Sequence, residues 1–216
     1  MKVFTRTLAL GLALAAGPAL SGPFSDLVMA PGVLAEVPAG PVFRYAHNRH
    51  LAVRAEGSTQ PKVAEGEIQP KAVAEGEVIL TAEAGEGGMR LILSRRDGGQ
   101  TAPVAEFSGG GPNPVLLYFL ENTVRVVAAE TGGSPYYIRN RIREALAAAD
   151  LPAPGTALTL SPFAADKNRD KMGDFGTLAL HLTFDPGRPA RLVELKADTA
   201  AGTGGYTETL TLIAEE

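Results

Sequence analysis

The amino-acid sequence predicts an α+β domain: a curved antiparallel sheet of about eight strands, with a helical hairpin inserted between strands four and five and packed on one sheet face. Three observations carry this. Segments with period-two hydrophobicity recur on both sides of a central stretch, so each strand offers one apolar face and one that meets water or a cavity. The turns between them are short, as at Asp97-Gly98-Gly99, where Asp-Gly suits positive φ. The central stretch carries two helix starts in which a capping residue precedes proline, Asn113-Pro114 and Ser134-Pro135.

Taken in order, Met1–Arg6 holds two positive charges and no acid, Leu8–Ala16 is apolar apart from Gly11, and Ala19-Leu20-Ser21 places small residues before Gly22. That pattern predicts a cleavable secretory signal over 1–21 and a periplasmic or secreted location. The apolar run is shorter than the roughly 18–20 residues of a membrane span, so no transmembrane anchor is expected in the mature chain. Residues 22–41 hold Pro23, Pro31, Pro38 and Pro41 among Gly22, Gly32 and Gly40, which predicts an extended arm whose Phe24, Leu27, Val28 and Met29 could dock on the domain. Residues 42–216 then form one α+β domain, long enough to bury a core without disulfides; the chain has no Cys.

In that domain Phe43, Tyr45, Leu51 and Val53 share one side of a long strand, interrupted by His47 and Arg49, where a bulge is expected. Gln60-Pro61-Lys62-Val63-Ala64-Glu65-Gly66-Glu67-Ile68 recurs, one residue longer, as Gln69 to Val78. Two short copies are too few for a solenoid and read as a duplication that lengthened a flexible loop, 57–76. Val78, Leu80 and Ala82, then Met89, Leu91 and Leu93, mark the next two strands, and residues 101–107 a weaker fourth. The first helix, 114–131, has Leu116, Leu120, Val124 and Val127 at helical spacing and only a narrow polar stripe of Glu121, Asn122 and Arg125. It must be largely buried, and it ends at Gly132-Gly133. The second, 135–150, turns Ile138, Ile142 and Leu146 inward. Residues 157–160, 178–184, 190–197 and 207–212 complete the strands.

Composition narrows the function classes. Without Lys2 and Arg6 of the signal, 18 basic residues face 24 acidic ones, a net charge of −6, so a nucleic-acid partner is not expected. The absence of Cys removes thiolate metal sites and thiol nucleophiles, and no cofactor is expected. His47 and His50 fall on opposite sides of a strand and cannot readily share a metal. Asp166-Lys167-Asn168-Arg169-Asp170 opens like a calcium loop, but Lys171 and Thr177 occupy the positions that need Gly and Glu. No Gly-x-Ser-x-Gly elbow or Gly-rich phosphate-loop spacing is present, so no catalytic residue is assigned.

The candidate ligand-binding residues are Tyr136, Tyr137, Arg139 and Arg143, which crowd two turns of the second helix, together with His47. Paired arginines suit carboxylate or phosphate groups, and His47 could line a cavity. The inferred shape resembles that of periplasmic lipoprotein carriers, a likeness of shape alone, and fold does not carry function. The leading expectation is an exported, non-catalytic envelope protein that binds a lipid or another apolar or amphipathic ligand. Two alternatives are a periplasmic hydrolase using His47 or His181 as base, and a structural or assembly component of the envelope that holds a protein partner through the arm at 22–41.

Overall fold

The computed structural model describes residues 23–28, 34, 37, 39–51, 69–86, 88–153, 156–185, 188–200 and 205–215. The expected signal (1–21) and the first copy of the repeat (60–68) lie outside the described residues. Eight strands build one open antiparallel sheet: β1 (Gly40–His50), β2 (Val73–Gly85), β3 (Gly88–Asp97), β4 (Gln100–Ser108), β5 (Leu158–Leu160), β6 (Ala179–Asp185), β7 (Arg188–Asp198) and β8 (Thr207–Glu215). Among the described residues three α-helices, α1 (Pro23–Val28), α2 (Pro114–Thr131) and α3 (Pro135–Ala147), accompany the sheet, and a 3₁₀ segment spans Arg169–Thr177.

The strand order is β4-β3-β2-β1-β8-β7-β6-β5, so the first and last strands pair at the centre. One meander runs outward from β1 to the β4 edge, and the other returns from the β5 edge to β8. The chain between β4 and β5 must therefore cross the sheet, and α2 and α3 occupy that crossing. Contacts of α2 with β2 and β3 in one half and with β7 in the other span the two meanders.

The bounds of α2 follow its local chemistry. Asn113 accepts from the Val115 backbone N–H at 2.9 Å through Oδ1 and so satisfies a donor that would otherwise be orphaned at the helix start. At the other end Gly132 adopts φ +68°, and its N–H closes on the Ala128 carbonyl. Twelve of the 18 residues of α2 are buried, as its continuous apolar surface requires. Leu116, Phe119 and Val127 meet Leu80, Leu91 and Leu93 from one half-sheet and Leu180, Leu195 and Leu210 from the other in a single core, all fully buried. Each such side chain contributes about 1.5–3 kcal/mol of burial. The inner face is filled by side chains along these rows, so the greasy surface of α2 is spent on the core.

Three expectations are corrected. Pro23–Val28 is helical, not extended. Pro23 is its first residue, where a missing N–H costs nothing, and Phe24 plugs into the core with its ring 5.4 Å from that of Phe184. Strand β2 begins at Val73, inside the span assigned to the loop 57–76, because Val73 and Gly76 of the second repeat copy pair with Arg49 and His47 of β1. The second helix ends at Ala147, three residues early, capped at Ala148. The register between β1 and β2 does shift at the expected place, between His47 and Arg49, but the extra residue belongs to β2: Asn48 of β1 spans Ala74 and Glu75.

Candidate functional site

Strand period sets which residues point at α2, and at one end of the sheet these rows change from apolar to polar. On β1 the row runs Phe43, Tyr45, His47, Arg49; on β8 it runs Leu210, Glu208, and on β3 Leu91, Leu93, Arg95, Asp97. Pairing aligns the polar ends: His47 lies opposite Leu210, Arg49 opposite Glu208, and Arg95 opposite Val78, which faces Tyr45. Above this end lies the polar stripe of α2, with Tyr118, Glu121, Asn122 and Arg125.

Glu208 anchors the arrangement. Fully buried, it receives His47 Nε2 at 2.9 Å, Arg49 Nη2 at 2.6 Å and Asn122 Nδ2 at 3.3 Å on Oε1. The Tyr206 hydroxyl donates to Oε2 at 2.8 Å. Burial alone pushes the Glu208 carboxyl up, but the hydrogen bonds from His47 and Arg49 outweigh it and hold the group below the usual carboxylate range. The group is thus ionised and acts only as acceptor, so His47 Nε2 carries the proton of that bond. Its Nδ1 is buried with no partner among the described residues. Burial lowers the Arg49 value and the Glu208 bond raises it, with a net rise. Tyr206 is raised well above the ordinary phenol value, first by burial and then by the neighbouring carboxylate. Three donors crowd Oε1 and the Tyr206 hydroxyl takes Oε2, so the carboxylate is engaged through both oxygens. Its role is to hold Arg49.

Gly76, in the second copy of the repeat, sits where a side chain would meet its neighbours. A Cβ there would stand 2.6 Å from Val73 Cγ1 and 3.2 Å from the His47 carbonyl oxygen. A side chain there would displace Val73 of the same strand and press on the His47 carbonyl of β1.

Beside this network opens a pocket with a volume of about 370 Å³. Its cations are Arg49, Lys71, Arg95 and Arg125, against two acids, Asp97 and Glu121. Val73, Pro103, Val104 and Val126 supply an apolar wall, and Tyr118 lies between the two. Two of the cations have partners: Arg49 on Glu208, and Arg125 on Glu121 at 3.4 Å. Arg95 forms no ion pair or hydrogen bond with a described residue. Burial raises the Tyr118 phenol, while the charges of Arg49 and Arg95 act on it in the opposite direction.

Of the residues singled out from sequence, His47 belongs to this site, buried behind the pocket with its ring 6.1 Å from that of Tyr118. The α3 residues lie elsewhere. Arg139 forks onto Glu121 at 3.0 Å and joins α3 to α2. The Tyr137 hydroxyl donates to Asp166 at 2.6 Å and receives Asn168 Nδ2 at 3.1 Å, which ties α3 to the loop before the 3₁₀ segment. Arg141 stacks over the Tyr137 ring and pairs with Glu144. Tyr136 is 70% exposed, and Arg143 is half-buried with no ion pair to a described residue. None of the four α3 candidates lines the pocket beside Glu208.

His181, on the water-facing side of β6, has Thr159 Oγ1 3.0 Å from Nδ1 and Asp198 Oδ2 3.5 Å from Nε2. Lys196 Nζ takes the same Asp198 oxygen at 2.5 Å. Among the described residues no group of three or more acids or histidines is placed to hold a metal ion.

Sequence reasoning missed Glu208, Arg95, Tyr118 and Asn122. The available signal was a charged residue on a core-facing position of a period-two row: Glu208 shares the side of Leu210 and Leu212, and Arg95 that of Leu91 and Leu93. A scan against protein-family models finds no matching family, and a search of curated proteins finds no match to this chain.

Proposed function

We propose that this chain is an exported, non-catalytic envelope protein that binds a small amphipathic ligand in the pocket between the polar stripe of α2 and the polar end of the sheet. The observation that carries this reading is the lining itself: an apolar wall of Val73, Pro103, Val104 and Val126 facing a cationic rim, in one concavity. A volume of about 370 Å³ lies at the low end of the range for small-molecule sites, roughly 300–1,000 Å³. This favours a single-chain or single-ring ligand over a two-chain lipid. Export rests on the sequence of residues 1–21. No described helix is long and apolar enough to cross a membrane.

Native mass spectrometry and solvent extraction of the protein purified from its own cell envelope test the proposal. A bound species of a few hundred daltons, released by denaturation, is the expected result. Repeated recovery of ligand-free protein that also fails to take up small amphiphiles would refute it.

A second reading is favoured by His181, which stands between the hydroxyl and the carboxylate that nucleophilic catalysis uses. Hydrolysis of an activated acyl ester, abolished in Thr159→Val and His181→Ala, would support it. Equal rates in wild type and both variants would remove it. The arm reading is weakened by Phe24, which is fully buried against the chain's own core and so is not free to hold a partner.

A further inference from the structure

Resting on the pocket reading above, we propose that the polar end of the bound ligand is an anion, a carboxylate or a phosphate monoester, and that Arg95 is the residue that receives it. Three observations lead there. Arg95 continues the core-facing row of β3 past Leu93, so its guanidinium enters the pocket from the sheet side, not from the outer surface. Its cross-strand partners are Val78 on β2 and Ala102 on β4, neither of which offers an acid. Among the lining arginines it is the one with no ion pair to a described residue, whereas Arg49 and Arg125 spend their charge on Glu208 and Glu121.

The neighbours of Arg95 complete the polar end. The Tyr118 hydroxyl is close enough to feel the Arg95 charge. Arg49, only 10% exposed, keeps Nε buried and without a partner among the described residues. A buried donor of that kind is unusual unless a water or ligand completes it. A planar, bidentate acceptor suits a guanidinium better than a hydroxyl or an amine does. The acids on the rim do not reverse the sign: Glu121 is shared by Arg125 and Arg139, which leaves Asp97 against Arg95 and Lys71.

Isothermal titration of the full chain with four probes of equal chain length separates the possibilities: octanoate, octyl phosphate, octanol and octylamine, at low ionic strength. Octanoate and octyl phosphate are expected to bind at least about tenfold more tightly than octanol, equivalent to 1.4 kcal/mol. Arg95→Gln should remove most of that preference, and Arg95→Lys should retain part of it. Tighter binding of octanoate or of octyl phosphate tells carboxylate from phosphate. Octanol binding as tightly as octanoate, or octylamine binding most tightly, overturns the anionic assignment and leaves the pocket reading standing. If none of the four probes binds, both readings fall. Arg95 is exposed and outside the packed core, so Arg95→Gln is expected to keep the wild-type circular dichroism spectrum and unfolding midpoint, which makes any loss of binding attributable to the site.

Discussion

Replacing Glu208 by Gln removes one negative charge from a fully buried position while keeping the shape of the side chain. The carboxylate compensates Arg49, whose side chain is only 10% exposed, and accepts from His47, Asn122 and Tyr206 as well. Gln offers one acceptor oxygen, and its amide turns donors toward donors, so the Arg49 charge is left buried without a counter-charge. Breaking a buried pair from one side costs about 3–5 kcal/mol. With a urea slope of about 2 kcal/mol per molar, the unfolding midpoint followed by circular dichroism should fall by about 1.5–2.5 M. The pH dependence has a definite sign. Because the folded-state value of Glu208 is depressed, its contribution is complete above the ordinary carboxylate range, about 4.3, and is lost as pH falls through the lower folded value. The gap between wild type and Glu208→Gln should therefore be widest near neutral pH and close in acid. Adding Arg49→Met to Glu208→Gln should recover part of the loss, since it removes the stranded charge. A Glu208→Gln midpoint within about 0.3 M of wild type near pH 7 would show that the network does not hold this end of the sheet.

Other outcomes follow from the packing and the caps. Phe119→Ala empties a fully buried site between α2 and the sheet and should cost about 3–5 kcal/mol in the same urea assay. Asn113→Ala removes the cap on Val115 and should cost about 1–2 kcal/mol, with Asn113→Asp largely retained. Tyr137→Phe loses the bonds to Asp166 and Asn168 and should lower the unfolding midpoint, whereas Tyr136→Ala, at an exposed position, should stay within about 0.5 kcal/mol of wild type. A Tyr136→Ala protein that unfolds much earlier would show that the outer surface of α3 is covered in solution.

The fold was largely legible because its determinants are local and periodic. Asn113-Pro114 and Gly132 delimit α2 to the residue, and alternation such as Leu178, Leu180, Leu182, Phe184 marks a half-buried strand without reference to its neighbours. What local pattern does not encode is which strands meet. The pairing of β1 with β8 alone brings Arg49 to Glu208, across 159 positions of sequence. The site was missed for that reason, although its residues sit on the very rows that identified the strands. Tyr137 and Arg139 carry ligand-binding chemistry by residue type, but Glu121 and Asp166 reach them only once α2, α3 and the following loop have packed. Pro23 misled in the other direction: proline read as extended chain is also the preferred first residue of a helix.

On the proposed reading, ligands enter where the core turns polar, beside Glu208, and not at the arginine-rich surface of α3. Backbone amide shifts of the uniformly ¹⁵N-labelled protein, titrated with octanoate, test it directly. Perturbations are expected to concentrate at Arg49, Arg95, Tyr118 and Arg125. Perturbations concentrated at Tyr136, Arg139 and Arg143, with the pocket residues unmoved, would contradict it.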